Sequence, residues 1–480
     1  MYKKILYTIL SVVTMLSIAA CGSSDSGKEP TATPKATEAP KNDDKGDTQN
    51  QDKDLSSLFD ELENRLNGDS EDTPVVIPTE VPTDEDEDFD WSDEDVSSSA
   101  TAVTDGVIVD NEQCAFKIVS VDADNFWGYT LNVQLENKTN LNLSFSMDDV
   151  YVDGVYCDPY WYCDVEPGET VTDEVSFYTE DFEALGITEP TSITFLLTVY
   201  DDDNWEADNL VEDTYVFYPE GEENAVVYEY DFDADDTVLV ENENITMAFL
   251  NYEYDEDWGY IVDVYMENHT NNYLMFAMDE VSVNGFMCDP YWAFSIPAGM
   301  KAHSSFYFST EDLELNEIST VTDIEFFLSV YNYDDWEDYY VEETFTVYPL
   351  GEEAAQTYER TPKDSDIILF DNDSCTMIIT GFTYDEIWGY SAIAYLENKT
   401  DAELYYSIDN AKVNGIDCDP FWMEALGPGK KCNSKINWSA YKLEDSGITT
   451  IETLDLPIIV NDYSDWENSE VINETFTVTP

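Results

Sequence analysis

Positive charge is scarce in this sequence. Its 480 residues include 19 Lys and Arg against 106 Asp and Glu, which leaves a formal net charge of −87. A surface of this sign repels both the phosphates of nucleic acids and the headgroups of anionic lipids. We therefore expect no nucleic-acid partner, while divalent or cationic partners remain open.

Histidine and the known catalytic motifs are also scarce. The chain has two histidines, His269 and His303, although histidine is the most frequent general acid or base in enzymes. We find no nucleophile elbow, zinc motif or phosphate-binding loop in the sequence. With so many carboxylates, pairs at glycosidase-like separations arise by chance alone. These absences predict a non-catalytic protein.

The N-terminal apolar run is too short to cross a membrane. It extends from Ile5 to Ile18 behind two lysines, whereas a spanning helix needs about 20 apolar residues. With the small residues that lead to Cys21, it resembles a bacterial lipoprotein signal peptide over residues 1–20. The resemblance implies that Cys21 becomes the first mature residue and carries the acyl chains that anchor the protein to the membrane.

What the chain does contain is one module used three times. The motif Cys-Asp-Pro-Tyr-Trp at 157–161 returns at 288–292, and it returns again as Cys-Asp-Pro-Phe-Trp at 418–422. A chain of this length has room for about three domains. The repeat predicts module 1 at residues 106–219, module 2 at 237–349 and module 3 at 367–480.

The segments before and between the modules are polar. Residues 21–105 are rich in Ser, Thr, Pro, Asp and Glu, which predicts a disordered acidic linker. One short amphipathic helix is expected inside it, between Leu55 and Leu66. Acidic segments of about 17 residues follow modules 1 and 2 and predict a string of beads with limited flexibility.

Short runs rich in Val, Ile, Phe, Tyr and Thr predict β-strands within each module. Asn284-Gly285 is the clearest hairpin signal, and we expect a short helix capped by Thr179, with Thr310 and Ser439 in the same place later. These signals predict an all-β chain of three tandem antiparallel Ig-like β-sandwiches. In module 2 the predicted strands are Ile245–Tyr254, Tyr260–Glu267, Tyr273–Met278, Val281–Asn284, Lys301–Phe308, Ile324–Val330 and Glu343–Tyr348.

The modules resemble the Ig-like repeat domains of unknown function found in surface lipoproteins of Firmicutes. The resemblance covers residues 106–480 and rests on the Trp-Gly-Tyr, Glu-Asn-Lys-Thr, Asn-Gly and Asp-Pro motifs and a late Asp-x-x-Trp. The resemblance implies that the protein lies at the cell surface of a Gram-positive bacterium, and it does not imply an activity.

The cysteines divide into two groups. Cys157 has equivalents in all modules, and module 2 has no second cysteine, so we interpret these residues as small buried side chains. In module 1, a hairpin that turns at Pro167-Gly168 would place Cys163 opposite Val171, which is the counterpart of Cys432 in module 3. Cys163 and Cys432 would therefore reach the same spot, beside the equivalent cysteines Cys114 and Cys375. An extracytoplasmic site permits disulfides, and an anaerobic host in which they do not form is the alternative. The hypothesis is two disulfides, Cys114 to Cys163 and Cys375 to Cys432.

Nine tryptophans are distributed three to a module. Exposed and equivalent rings would form an aromatic platform for sugar rings or polymer, repeated for avidity. The alternative is that each ring fills an edge or a core. The candidate ligand-binding residues are Trp205, Trp336 and Trp466, which follow turn-like acidic stretches, and Trp127, Trp258 and Trp388 in the Trp-Gly-Tyr loops.

Acidic residues precede these loops and suggest calcium as a possible cofactor. Asp122 and Asp124 do so in module 1, and Asp255 and Asp257 do so in module 2. Calcium takes several oxygen ligands at flexible spacing. No complete EF-hand loop is present, however, so solvated loop acids are the alternative.

Together these features predict a lipid-anchored, extracytoplasmic protein that displays three non-catalytic modules for ligand binding or adhesion. The expected partners are the membrane, through Cys21, and a cell-wall or extracellular polysaccharide or protein. A structural envelope spacer and a calcium-dependent rigid stalk are the alternatives. Exposed, equivalent tryptophans would favour binding, and buried ones would favour the spacer.

Overall fold

The computed structural model describes residues 100–103, 106–204, 206–385, 388–462 and 469–480. The predicted signal peptide, the predicted linker helix, Cys21, Trp205 and Trp466 lie outside these ranges. Antiparallel strands dominate the described residues and confirm the predicted all-β class. Over the same ranges, no helix has the length and apolar character needed to span a membrane.

Each module is a pair of sheets. Module 1 contains β1 (Thr101–Ala102), β2 (Val107–Asp110), β3 (Cys114–Asn125), β4 (Gly128–Asn137), β5 (Leu143–Val152), β6 (Val155–Tyr156), β7 (Trp161–Val165), β8 (Thr170–Tyr178), α1 (Thr179–Leu185), β9 (Ile193–Asp201) and β10 (Val211–Phe217). Module 2 contains β11 (Thr237–Glu241), β12 (Ile245–Asp255), β13 (Gly259–Asn268), β14 (Leu274–Val283), β15 (Phe286–Met287), β16 (Ala293–Ile296), β17 (Lys301–Phe308), α2 (Thr310–Leu315), β18 (Ile324–Asn332) and β19 (Asp335–Val347). Module 3 contains β20 (Ile367–Asp371), β21 (Cys375–Asp385), β22 (Gly389–Asn398), β23 (Leu404–Ile408), β24 (Lys412–Val413), β25 (Ile416–Asp417), β26 (Met423–Leu426), β27 (Lys431–Trp438), α3 (Ala440–Asp445), β28 (Leu454–Asp462) and β29 (Glu470–Val478).

The same strand order recurs in the three modules. In module 2 the first sheet has the order β11-β12-β13-β17, and the second places β14 between β18 and the short strands β15 and β16. Because successive side chains of a strand point to opposite faces, Val262, Val264 and Met266 of β13 all face the core and are fully buried. Each module encloses its own core between its two sheets.

The local predictions hold in part. Asn284 and Gly285 have φ of 52° and 78°, as the predicted two-residue hairpin turn requires. The two strands predicted on either side of Asp279 are one strand, β14, with a bulge that shifts its register. Ser309 and Ser439 cap their helices through the side-chain oxygen, whereas Thr310 is the first helical residue.

Two predicted boundaries of module 1 were wrong. The cap position of α1 is Tyr178, which makes no side-chain cap bond, so Thr179 lies inside the helix. Thr101 and Ala102 form a strand opposite Val121 and Ser120, so the folded module begins before residue 106. β2 pairs with β3 only as far as Lys117, and β1 pairs with Ser120 and Val121 of the same strand. The first sheet therefore includes residues that precede 106.

The Glu-Asn-x-Thr motif has a structural role. In module 2 the Asn268 side chain is almost fully buried. Its Nδ2 donates to the carbonyl oxygens of Asn272 at 2.8 Å and Ile296 at 2.9 Å, and its Oδ1 accepts from Thr270 N at 2.9 Å. Such a satisfied network ties one sheet to the end of the other, so the recurrence of this motif needs no ligand to explain it.

The modules are joined by continuous sheets, and the predicted string of beads is wrong. β6 of module 1 runs parallel to β17 of module 2, where Lys301 N donates to Gly154 O at 2.9 Å. β15 of module 2 meets β27 of module 3 in the same way, through Lys431 N and Gly285 O at 3.2 Å. Each junction therefore extends one module's second sheet into the first sheet of the next.

The segments between modules also pack onto the following module. After module 1, the Tyr228 hydroxyl lies 3.0 Å from His303 Nε2, and Tyr228 O accepts from Lys301 Nζ at 2.6 Å. After module 2, the Tyr358 ring packs on Phe286 of module 2 with ring centroids 4.6 Å apart, and the Arg360 guanidinium lies 5.2 Å from the centroid of the Tyr395 ring of module 3. Aromatic packing of this kind adds to the hydrogen bonds of the junction, so these segments are not free linkers.

Candidate functional site

The Trp-Gly-Tyr loops sit where β3, β12 and β21 turn into the next strand. In module 2, Gly259 has φ of 99°, and a Cβ there would lie 2.1 Å from Phe308 O. Only glycine fits at such a close approach. The equivalent glycines of modules 1 and 3 meet the same obstruction, at 2.2 Å. The tryptophan before each glycine is thus held at the end of the first sheet.

Two of these three tryptophans are open to solvent. Trp127 is 58% exposed and Trp388 is 72% exposed, while Trp258 is half-buried against Tyr307, with ring centroids 5.4 Å apart. In module 1 the 88% exposed Phe126 packs edge-on against Trp127. The loops of modules 1 and 3 therefore present exposed rings at equivalent positions, whereas the binding hypothesis expects an exposed tryptophan in every module.

The other predicted tryptophans divide into exposed and undescribed positions. Trp336 is 69% exposed at the start of β19, as expected from the acidic stretch before it. Trp205 and Trp466 fall in the gaps between the described ranges. By contrast, Trp161, Trp292 and Trp422 are buried in their cores, which fits the alternative that some tryptophans are architectural.

The acidic residues predicted to bind calcium set the conformation of the loops. Asp255 Oδ1 accepts the backbone N–H groups of Asp257 at 2.8 Å and Trp258 at 2.9 Å. In module 1, Asp122 Oδ1 accepts from Asp124 N at 3.2 Å. Side-chain to backbone bonds of this type stabilise tight turns. Over the described ranges, no group of three or more His, Cys, Asp or Glu side chains has the arrangement of a metal site.

A second set of exposed aromatic residues was missed by sequence reasoning. Tyr160, Tyr291 and Phe421 follow Asp-Pro in the repeated motif and are 55%, 75% and 85% exposed. Their φ values are 51°, 50° and 53°, in the left-handed region that bulky residues rarely adopt. The sequence signal was the aspartate two residues before each ring, since aspartate stabilises such turns through its side chain.

The turn in module 2 shows how the ring is held outside. Asp289 Oδ1 accepts from Tyr291 N at 2.7 Å. Trp292, the next residue, is buried, and its Nε1 lies 3.2 Å from Ser304 Oγ. With the chain fixed on both sides, the Tyr291 ring projects into solvent at a backbone cost of about 1–3 kcal/mol. Strain of this kind concentrates at functional sites.

Carboxylates at these turns are partly withdrawn from water. Burial raises the pKa of the Asp158 carboxyl to about 6, against the hydrogen bond from Tyr160 N, and the charges of Asp148 and Asp149 raise it further. Burial also raises the pKa of the Asp289 carboxyl in module 2. The turn of module 1 therefore combines an exposed ring with a partly desolvated carboxylate, which favours a cationic neighbour.

The predicted disulfides are absent, because all four cysteines are free thiols. In module 1, Cys163 lies opposite Phe145 in the second sheet, whereas Cys114 lies in the first. The hairpin that was expected to pair β7 with β8 does not form, because the chain changes sheets between them. Cys157 and its equivalents are buried, as predicted.

In module 3 an intervening strand separates the two cysteines. Leu396 of β22 lies opposite Cys432 on one side and Met377 on the other, and Cys375 lies farther along β21. Two strand spacings amount to about 9.5 Å, whereas bridged cysteines have Cα atoms less than about 7 Å apart. Burial also raises the pKa of the Cys432 thiol well above its usual range, which leaves it unreactive.

A scan of protein-family models and a search of curated proteins found no match to this chain.

Proposed function

We propose that this chain is a non-catalytic, lipid-anchored extracytoplasmic protein whose modules bind a ligand through exposed aromatic loops. The observation that carries the proposal is the exposure of Trp127 and Trp388 at equivalent positions. A large ring with two side-chain torsions on a loop of fixed backbone binds at little entropic cost, because few torsions remain to be ordered. The anchoring part of the proposal rests on the lipobox at Cys21.

The best candidate ligand is a cell-wall or extracellular polysaccharide. Tryptophan faces stack on the apolar faces of sugar rings, and a repeated ligand can engage more than one module. The net charge of −87 disfavours polyanions. A neutral polysaccharide therefore fits the loops better than a phosphate-rich polymer.

Tryptophan fluorescence of the full chain tests this proposal. Acrylamide quenches exposed rings, and we expect a neutral polysaccharide to protect the loop tryptophans from it. The variant with both Trp127→Ala and Trp388→Ala should lose the protection. Trp336→Ala, which removes an exposed tryptophan outside the loops, is the matched control and should keep it. If no polysaccharide alters quenching, the binding proposal is wrong.

The ordered junctions support a second candidate, a structural spacer of the cell envelope. Sheets that continue from module to module and packed connecting segments would hold the modules at fixed spacing without any ligand. This candidate predicts the same small-angle scattering profile with and without chelator. The calcium-dependent stalk predicts a profile that changes when calcium is removed.

A further inference from the structure

The exposed turn of module 3 contains a cation that the equivalent turn of module 2 lacks. The Lys442 ammonium of α3 lies 3.9 Å from the centroid of the Phe421 ring and donates a hydrogen bond to Asp419 O. An ammonium over an aromatic face is attracted by the negative potential of the ring. Module 3 thus displays, within its own chain, the kind of group that this turn accepts.

Module 2 has the same turn without the lysine. Tyr291 takes the place of Phe421, with φ of 50° against 53°, and the position of Lys442 is occupied by Asp312. Both helices begin alike, because Ser309 Oγ accepts from Asp312 N at 3.1 Å and Ser439 Oγ accepts from Lys442 N at 3.3 Å. Module 2 therefore has a carboxylate at this position, which accepts from Ser309 Oγ at 2.6 Å, where module 3 has an ammonium.

Three carboxylates act electrostatically on the open ring of module 2. Burial raises the pKa of the Tyr291 hydroxyl most, although the residue is 75% exposed, and the charges of Asp289, Glu424 of module 3 and Asp312 raise it further. Glu424 is half-buried, and burial raises the pKa of its carboxyl against the hydrogen bond from Ser434 Oγ. Since an adjacent cation favours the ionised form of a carboxyl group, an ammonium ion at this ring would relieve their mutual repulsion.

We propose that the Tyr291 turn, with Asp312 and Glu424, is a binding site for a primary ammonium group, namely the lysine side chain of a partner protein. The ammonium lies over the Tyr291 ring, as Lys442 lies over the Phe421 ring in module 3. It donates a hydrogen bond to the Asp289 carbonyl oxygen, as Lys442 does to Asp419 O, and the carboxylates balance its charge. Module 3 fills its own site through Lys442. The site is separate from the tryptophan loops, so this proposal does not depend on the function proposed above, and the two are tested separately.

Fluorescence anisotropy of the full chain tests this site. The probe is a fluorescein-labelled glycine-serine peptide with one central lysine, and its control carries an acetylated lysine. At about 0.15 M salt, charges more than about 8 Å apart are largely screened. We expect the lysine peptide to bind and the acetylated peptide not to bind. Tyr291→Ala should weaken binding by about 2-fold to about 30-fold, whereas Tyr291→Phe should retain it.

Charge-matched variants separate the site from the general negative charge of the protein. Asp312→Lys copies module 3 and should block the site, while Glu314→Lys makes the same charge change on an exposed residue of the same helix and should leave binding intact. Lys442→Asp, which copies module 2, should open the site of module 3 and increase the number of peptides bound. An equal loss in both lysine variants, or no binding, would overturn the proposal. Binding of chitosan oligosaccharides without the lysine peptide would also overturn it, in favour of an amino sugar.

Discussion

The junction between modules 2 and 3 allows a sharp test of the architecture. Phe286 at the start of β15 is 1% exposed and belongs to a small cluster with Ile378 and Tyr395 of module 3, separate from both module cores. The Tyr358 ring and the Lys431 ammonium also lie against it. Phe286→Ala should therefore loosen the junction and leave the two cores folded.

The size of the effect follows from this burial. Truncation of a core phenylalanine to alanine costs about 3–5 kcal/mol. The cluster here is small, so we expect about 2–3 kcal/mol. Since about 1.4 kcal/mol corresponds to a tenfold change, protection of an amide that exchanges through junction opening should fall by about 30-fold to about 150-fold.

The assay is native-state hydrogen exchange at the Lys431 amide, which donates to Gly285 O across the junction. Amides between β22 and β21 should keep their protection, because they lie inside module 3. Ile416→Ala is the matched control, since Ile416 occupies the position of Phe286 in module 3 but is 43% exposed. Unchanged exchange at Lys431, or a uniform loss of protection throughout module 3, would refute the reasoning.

Four further predictions follow from the described contacts and from the lipobox. Burial beside Tyr228 lowers the pKa of His303, against the charge of Asp263. Because the folded state favours the neutral ring, the first junction should be most stable above about pH 6.5 and should weaken as the pH falls toward the lowered pKa. Hydrogen exchange should show this loss of stability in the wild type, and His303→Asn should abolish it. Gly259→Ala would place a Cβ 2.1 Å from a backbone oxygen of β17 and should cost about 3 kcal/mol in urea unfolding, whereas Gly168→Ala, where no atom lies within 4 Å, should cost less. The free thiols of modules 1 and 3 should all be alkylated under denaturing conditions without reductant, and protection of any pair would show a disulfide by mass spectrometry. Cys21→Ala should move the protein from the membrane fraction to the soluble fraction, and unchanged fractionation would contradict the lipid anchor.

The sequence by itself determined the features that depend on neighbouring residues. The repeat located three modules, alternation located most strands, and Asn284-Gly285 located a hairpin whose φ values are both positive. These features follow from backbone sterics and side-chain periodicity, which act over a few residues. The burial of Cys157 could also be predicted, because its equivalent Cys288 has no second cysteine in module 2.

The tertiary structure decided which strands pair and which rings remain outside. β7 pairs with β5 rather than β8 in module 1, and β22 lies between the strands of Cys375 and Cys432 in module 3. These long-range pairings removed the predicted disulfides. Phe286 is buried by the next module, while Ile416 at the same position of the repeat is exposed, so one motif has two environments. Within one motif, Trp292 turns inward and Tyr291 outward. Packing between distant segments sets these outcomes, and local sequence patterns do not contain that information.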